Sequence, residues 1–197
     1  MPNTVTIFQN IRETEAPFFK DVTYILQRIK DGKNQELVKK IRQEKNKSKR
    51  NELKKNLPAI CFSGQFNKRS DSAIVEHSGL ICLDFDGYPK KKDLLEDKER
   101  FQKNKFIYSV FVSPSGNGLK VLIKIPADQD NHTKYFNSLK KEFDSAYFDT
   151  TSKNLSRVCY ESYDRLLHIN PNSSVWDKIE VEEYEEKSII KDVPLLK

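Results

Sequence analysis

The run Ser78-Gly79-Leu80-Ile81-Cys82-Leu83-Asp84-Phe85-Asp86-Gly87 ends a short apolar segment in two carboxylates spaced two residues apart. Alternate residues of a strand share a face, so Asp84 and Asp86 point the same way at the place where the strand gives out. By strand rise they stand about 6–7 Å apart, two anions that repel each other unless a cation lies between them. Mg²⁺ or Mn²⁺, which take oxygen ligands, suit that place. A D-x-D-G this short also serves as an ordinary polar strand end running into a glycine turn. The elements around it decide between the two.

From residue 80 onward the hydrophobic pattern is orderly. It predicts a strand over 80–85, a helix over 90–103 carrying Leu94, Leu95 and Phe101, and a strand over 107–112. The turn Ser113-Pro114-Ser115-Gly116-Asn117-Gly118 follows, then a strand over 119–125 and a helix over 131–143 on Tyr135, Phe136, Leu139 and Phe143. A final strand near 157–160 closes the set. The order β-α-β-β-α-β is that of an RRM-like, ferredoxin-like sheet within an α+β fold. In such a sheet the first and third strands are antiparallel neighbours, and the fourth flanks the first on its other side. The end of the first strand then lies beside Lys120 and near the approach to the fourth, where Phe148-Asp149-Thr150 stands. Parity turns Ile81, Leu83, Phe85, Leu119, Val121 and Ile123 toward the helices, and Asp84, Asp86, Lys120 and Lys124 toward the open face. Three carboxylates and a lysine converge on one patch.

Upstream, Phe18, Phe19, Val22, Ile25, Leu26 and Ile29 form one stripe of a helix over 17–30, ended by Asp31-Gly32. A second helix runs over 35–45, the basic stretch Asn46-Lys47-Ser48-Lys49-Arg50 forms a break, and a short helix reaches 55. A strand over 57–64 is entered through Pro58, with a polar loop over 67–72. The chain thus divides into an N-terminal basic, largely helical α/β lobe (1–79), a core (80–176) and a charged linker (177–197).

Charge is uneven along the chain. From Lys30 to Arg69 thirteen Lys/Arg face four Asp/Glu, whereas from Asp177 to Lys197 seven acids face four bases. A basic arm with an acidic tail fits a partner such as DNA or RNA, with Lys47, Lys49 and Arg50 meeting phosphates. A solvated helix face has the same composition. No apolar run is long enough to cross a membrane, and Cys61, Cys82 and Cys159 stand far apart, as buried thiols in a reducing compartment do. Both features predict a cytoplasmic protein.

Three Asp with a basic neighbour suit two-metal chemistry on a nucleoside triphosphate, where carboxylates hold the ions and Lys, Arg and amides hold phosphates. The glycine-bearing turn could offer N–H and hydroxyl groups to phosphate oxygens, through Ser113, Ser115 and Gly116, with Lys120 and Arg157 as cations.

Leu83-Asp84-Phe85-Asp86, then Ser113-Pro114-Ser115-Gly116-Asn117-Gly118-Leu119-Lys120, then Phe148-Asp149 resemble, in this order, the three motifs of archaeo-eukaryotic primase and primase-polymerase domains. The run from Leu57-Pro58-Ala59 to Tyr163 resembles VirE N-terminal-type domains of bacterial mobile-element proteins. The resemblance implies an RRM-like catalytic sheet packed with an N-terminal lobe, Mg²⁺ or Mn²⁺ at Asp84, Asp86 and Asp149, and nucleotide contact by the second motif. It further implies a nucleotidyltransferase acting in replication of a mobile element, with a C-terminal helicase-like domain in a longer protein. One position departs from the pattern: Lys120 stands where the second motif usually ends in histidine. Lysine can pair with a phosphate as a point charge but does no imidazole acid–base work. A catalytically inactive nucleic-acid-binding module of the same fold therefore stays open.

Two further alternatives come from other classes. Leu83-Asp84-Phe85-Asp86-Gly87 also resembles the nucleophile loop of haloacid-dehalogenase-type phosphohydrolases, although Tyr88 stands where that family has Thr. An RRM-type RNA binder would want aromatic residues on its third strand, where Lys120, Leu122 and Lys124 stand instead. His77, His132 and His168 show no ligand spacing.

Overall fold

The computed structural model describes residues 3–179, so the charged linker expected over 177–197 lies almost wholly outside the described residues. Its first half opens with β1 (Thr4–Phe8) and β2 (Phe18–Asp21), followed by three helices, α1 (Val22–Asp31), α2 (Gln35–Gln43) and α3 (Lys47–Lys54). Next come β3 (Ala59–Cys61) and the ribbon of β4 (Gly64–Phe66) and β5 (Ile74–His77). The second half runs β6 (Leu80–Asp86), α4 (Lys91–Gln102), β7 (Ile107–Val112), β8 (Gly118–Lys124), α5 (His132–Phe143), β9 (Cys159–Tyr160) and β10 (His168–Ile169). Among the described residues the strands form two four-stranded antiparallel sheets, ordered β2-β1-β3-β9 and β10-β7-β8-β6, beside the two-stranded β4-β5 ribbon. None of the described helices is long and apolar enough to cross a membrane.

The expected parity is observed. Ile81, Leu83, Phe85, Leu119, Val121 and Ile123 pack with Leu94 and Phe101 of α4 and with Tyr135, Phe136, Leu139 and Phe143 of α5. The opposite face, expected to be open, is covered. Leu80, Cys82, Tyr108, Phe111 and Leu122 meet Val5, Ile60, Phe62, Cys159 and the stripe Val22, Ile25, Leu26 and Ile29 of α1. The two sheets therefore share a buried seam. Burying each such side chain stabilises by about 1.5–3 kcal/mol, which is why the apolar Leu122 lies among the polar positions of its face.

Two expected elements fall elsewhere. The helix over 17–30 begins only at Val22, because Asp21 caps it: Thr23 N–H donates to Asp21 Oδ1 at 2.7 Å. Phe18 and Phe19 lie instead on β2, 57% and 42% exposed. The strand near 157–160 does not flank β6. As β9 it pairs with β3 in the other sheet. Beside β6 there is a single bridge, Phe85 to Phe148, with Asp86 N–H donating to Tyr147 O and Asp149 N–H to Asp84 O. Between the two places the chain turns on short polar side chains that bond to backbone, Asp149 to Thr151 N, Ser152 to Asp149 O and Asp71 to Ser156 N.

Buried ion pairs pin this returning segment. Glu161, fully buried, accepts from Arg28 at 3.0 Å, and Asp164 accepts from Lys98 Nζ at 2.6 Å. At the far end of the seam, Gly79 N–H donates to His77 Nδ1, which leaves the His77 proton on Nε2, 3.0 Å from His132 Nδ1. Burial lowers both rings, His77 to about 4 and His132 to about 3. All three cysteines are free thiols.

Candidate functional site

Strand β6 delivers Asp84 and Asp86, and the register with β8 sets them opposite Lys120 and Gly118. Asp149 arrives from the bridge at Phe148, tied to β6 by its own N–H. One oxygen from each of Asp84, Asp86 and Asp149 lies within 4.8 Å of the others. The three acids thus lie together, with oxygens closer to one another than strand rise alone sets the two β6 acids.

Burial differs within the triad: Asp84 is buried, Asp149 half-buried and Asp86 exposed. Asp84 is 6% exposed and Lys120 9%, with Lys120 Nζ 2.6 Å from Asp84 Oδ1. Burial pushes the Asp84 carboxyl up, against the pull of Lys120. Burial likewise works against the Lys120 charge, but the carboxylate of Asp84, with Cys159, Asp86 and Cys82 behind it, more than offsets this and holds the ammonium protonated. At Asp149 burial is outweighed by hydrogen bonds from Thr151 and by the Arg157 and Lys120 charges, so its carboxyl lies below the usual range. Arg157 donates to Asp149 Oδ2 at 3.0 Å, and Thr151 N–H and Oγ1 donate to Oδ1 at 2.9 and 2.7 Å.

A cavity of about 330 Å³ opens over the acids, lined by Asp84, Asp86, Lys120, Arg157, the turn residues Ser113 and Ser115, and Lys54 of α3. The turn is built around its own backbone: Ser113 N–H donates to Gly118 O, and Gly116 N–H to Ser113 O. The Gly116 amide expected to meet a phosphate is thus engaged inside the turn, and Gly116, at φ +79°, sits over the Arg42 side chain. Arg42 donates to Ser113 O at 3.1 Å and Tyr163 O at 2.8 Å, tying α2 to the turn. Gly118 is closely packed. A Cβ there would fall on Asp86 Oδ1 and 2.7 Å from Phe85 O.

Among the described residues, Ser113 supplies the observation that fits this site to a ligand. Its hydroxyl is buried on the cavity wall with no hydrogen-bond partner, a costly state for a polar atom. With three clustered carboxylate oxygens beside it, the donor set is all oxygen, as Mg²⁺ or Mn²⁺ prefers.

The basic arm divides. Lys47, Arg50 and Lys54 recur at helical spacing on α3, and the charges of Lys47 and Arg50 act on Lys54, which lines the cavity with the acids. Burial lowers Lys54, Asp86 pulls the other way, and Arg50, Lys120 and Lys47 add to the lowering. Lys49 faces elsewhere, lining a groove with Arg12, Glu44 and Glu52. Lys54 is the site residue that the sequence did not single out, although its i+7 spacing from Lys47 is legible. Tyr88 turns from the acids, stacking on Tyr147 and donating to Asp97 at 2.7 Å. Lys120 and Leu122 lie under the first sheet, so β8 offers no open platform on which bases could stack.

The sequence profile described as "BT4734-like, N-terminal domain" matches residues 52–167. Among solved structures, the AEP domain of the cyanophage S-2L primase-polymerase (PrimPol) aligns at 13% identity, covering 89% of this chain and 85% of that chain, with a TM-score of 0.46. No curated protein matches the sequence.

Proposed function

The chain belongs to the BT4734-like N-terminal domain family, and from that premise we propose that it is a metal-dependent nucleotidyltransferase domain of primase-polymerase type, of the VirE N-terminal kind, acting on nucleic acid and nucleoside triphosphates. The observation that carries this reading is the grouping of three carboxylate oxygens within 4.8 Å, beside a cavity that Asp84 and Asp86 line together with Ser113, whose hydroxyl is unpartnered. Asp84, Asp86 and Asp149 would hold Mg²⁺ or Mn²⁺. When bound, the ion supplies Lewis-acid activation of an attacking hydroxyl and neutralises charge on the transferring phosphate.

The chain's own residues do the positioning. Lys120 fixes the rotamer of Asp84, and Arg157 and Thr151 fix Asp149, so two of the three ligands are held before anything binds. Lys54 and Arg157 bring positive charge to the cavity where a triphosphate would lie, and Ser113 Oγ has a proton to donate to a phosphate oxygen. On α3, Lys47 and Arg50 continue the positive strip toward a template backbone.

Purified protein with Mn²⁺, a single-stranded template and labelled nucleotides should incorporate nucleotide in a template-dependent way. Asp86→Asn, at an exposed ligand, should abolish incorporation without unfolding the chain. One observation favours a second reading, a nucleic-acid-binding module without catalysis: the Lys120 ammonium closes one oxygen of Asp84 at 2.6 Å. Salt-sensitive DNA binding without incorporation, by wild type and Lys120→His alike, would establish that second reading.

A further inference from the structure

We infer that the Lys120 ammonium stands where a second divalent ion would, so that this site takes one ion, and that removing the ammonium opens the second place. The inference rests on the metal-dependent reading above and adds to it a stoichiometry.

The geometry is that of a single-ion cage. Mg²⁺–oxygen bonds of about 2.0–2.1 Å put opposite ligands of one ion about 4.2 Å apart. Three oxygens within 4.8 Å close around one ion with a small contraction. Two ions about 3.5–4 Å apart need more oxygens and a carboxylate that bridges them.

Oxygens on two of the three carboxylates are already engaged. Asp84 Oδ1 accepts from Lys120 at 2.6 Å, Asp149 Oδ1 from Thr151 and Asp149 Oδ2 from Arg157. A divalent ion on Asp84 Oδ1 would face the ammonium in a desolvated seam, where like charges repel strongly. The Lys120 side chain is only 11% exposed. It lies directly across the ladder from Asp84, under the first sheet.

Charge also works against a second ion. Three carboxylates against Lys54, Lys120 and Arg157 already cancel, so every divalent ion added makes the site more positive. The buried, unpartnered Ser113 hydroxyl on the cavity wall independently marks the place as built for a ligand.

The test is to count Mn²⁺ on the full chain by equilibrium dialysis, with electron paramagnetic resonance to detect spin coupling between neighbouring ions. Wild type should bind one uncoupled Mn²⁺, Asp86→Asn none, and Lys120→Arg one. Lys120→Met, which keeps the aliphatic stem and drops the charge, should bind two with a coupled spectrum. It should also gain more in Tm from Mn²⁺ than wild type does. Should Lys120→Met fail to fold, Lys120→Gln and the wild-type count carry the test. Two ions in wild type, or one in a folded uncharged variant, overturns this inference and leaves the metal-dependent reading intact. No ion in wild type overturns both.

Discussion

Among the described residues there are two buried lysine–aspartate pairs of the same length, and they do different work. Lys98 and Asp164 meet at 2.6 Å, as do Lys120 and Asp84. The first pair is closed on all sides: Asp164 also accepts from Val112 N–H at 2.8 Å and Leu166 N–H at 3.0 Å, and Lys98 donates to Leu166 O at 2.9 Å. The second pair faces two more carboxylates and a cavity. Pair length therefore says nothing about role. What distinguishes a strut from a site is whether the remaining lone pairs are spent on backbone or left facing other charges.

The largest expected effect tests that contrast directly. Lys98→Met leaves Asp164 buried without its cation and should cost about 3–5 kcal/mol, read by urea unfolding, with no recovery on adding Mn²⁺. Recovery by metal would mean that the two pairs are alike after all.

Acid titration sharpens the contrast by assigning proton uptake to a third buried pair. His77 and His132 stay neutral in the fold, so the stability they confer is present above pH 6.5. It is lost as pH falls from there toward about 4 for His77 and about 3 for His132. Each ring contributes a slope of up to about 1.4 kcal/mol per pH unit in that window; Asp128 and Asp71, which face the rings, soften it. His132→Asn should flatten the slope of stability between pH 6.5 and 5. An unchanged slope would return the acid sensitivity to the carboxylates.

Gly118→Ala probes the site pair from the backbone side. The added methyl meets Phe85 O and the Asp86 carboxylate, so stability should fall by about 1–3 kcal/mol and Mn²⁺ affinity with it. Normal metal affinity in the folded variant would show that Asp86 is not a ligand. The smallest effect is on α3. Lys54→Met should change stability by no more than about 0.5 kcal/mol while weakening nucleotide binding. Replacing Lys47 and Arg50 with Ala should reduce the salt slope of DNA binding by up to about 0.7–0.9 for each phosphate that is no longer neutralised, and Lys49→Ala should leave it unchanged.

Much of this site is legible in the chain itself. Alternation in Leu119-Lys120-Val121-Leu122-Ile123-Lys124 and in the run from Leu80 to Asp86 fixes both strands and their parity. That parity alone brings Asp84, Asp86 and Lys120 to one face. The cover over that face is harder to read, because it is made by α1 and by a two-residue strand whose partner lies about a hundred residues earlier in sequence. Leu122 is the local clue, an apolar residue where an open face would carry a polar one. Phe18 and Phe19 mislead because they continue the stripe of α1 by spacing, while Asp21 and Thr23 already mark its cap. The closure of the Ser113 turn on its own amides depends on φ at Gly116 and on Arg42, neither of which composition reveals.

The return of the chain from Asp149, beside β6, to Cys159, beside β3, has a consequence for taking the protein apart. A cut between residues 79 and 80 looks natural in sequence, yet it separates β3 from β9, its partner in the first sheet. The first fragment would carry a raw edge at β3, and the second would carry a strand with nothing to pair. Neither piece should be soluble when expressed alone. Expressed together they should reassemble through that strand and the buried seam between the sheets, which makes the crossing a ready point for splitting the molecule into a complementing pair.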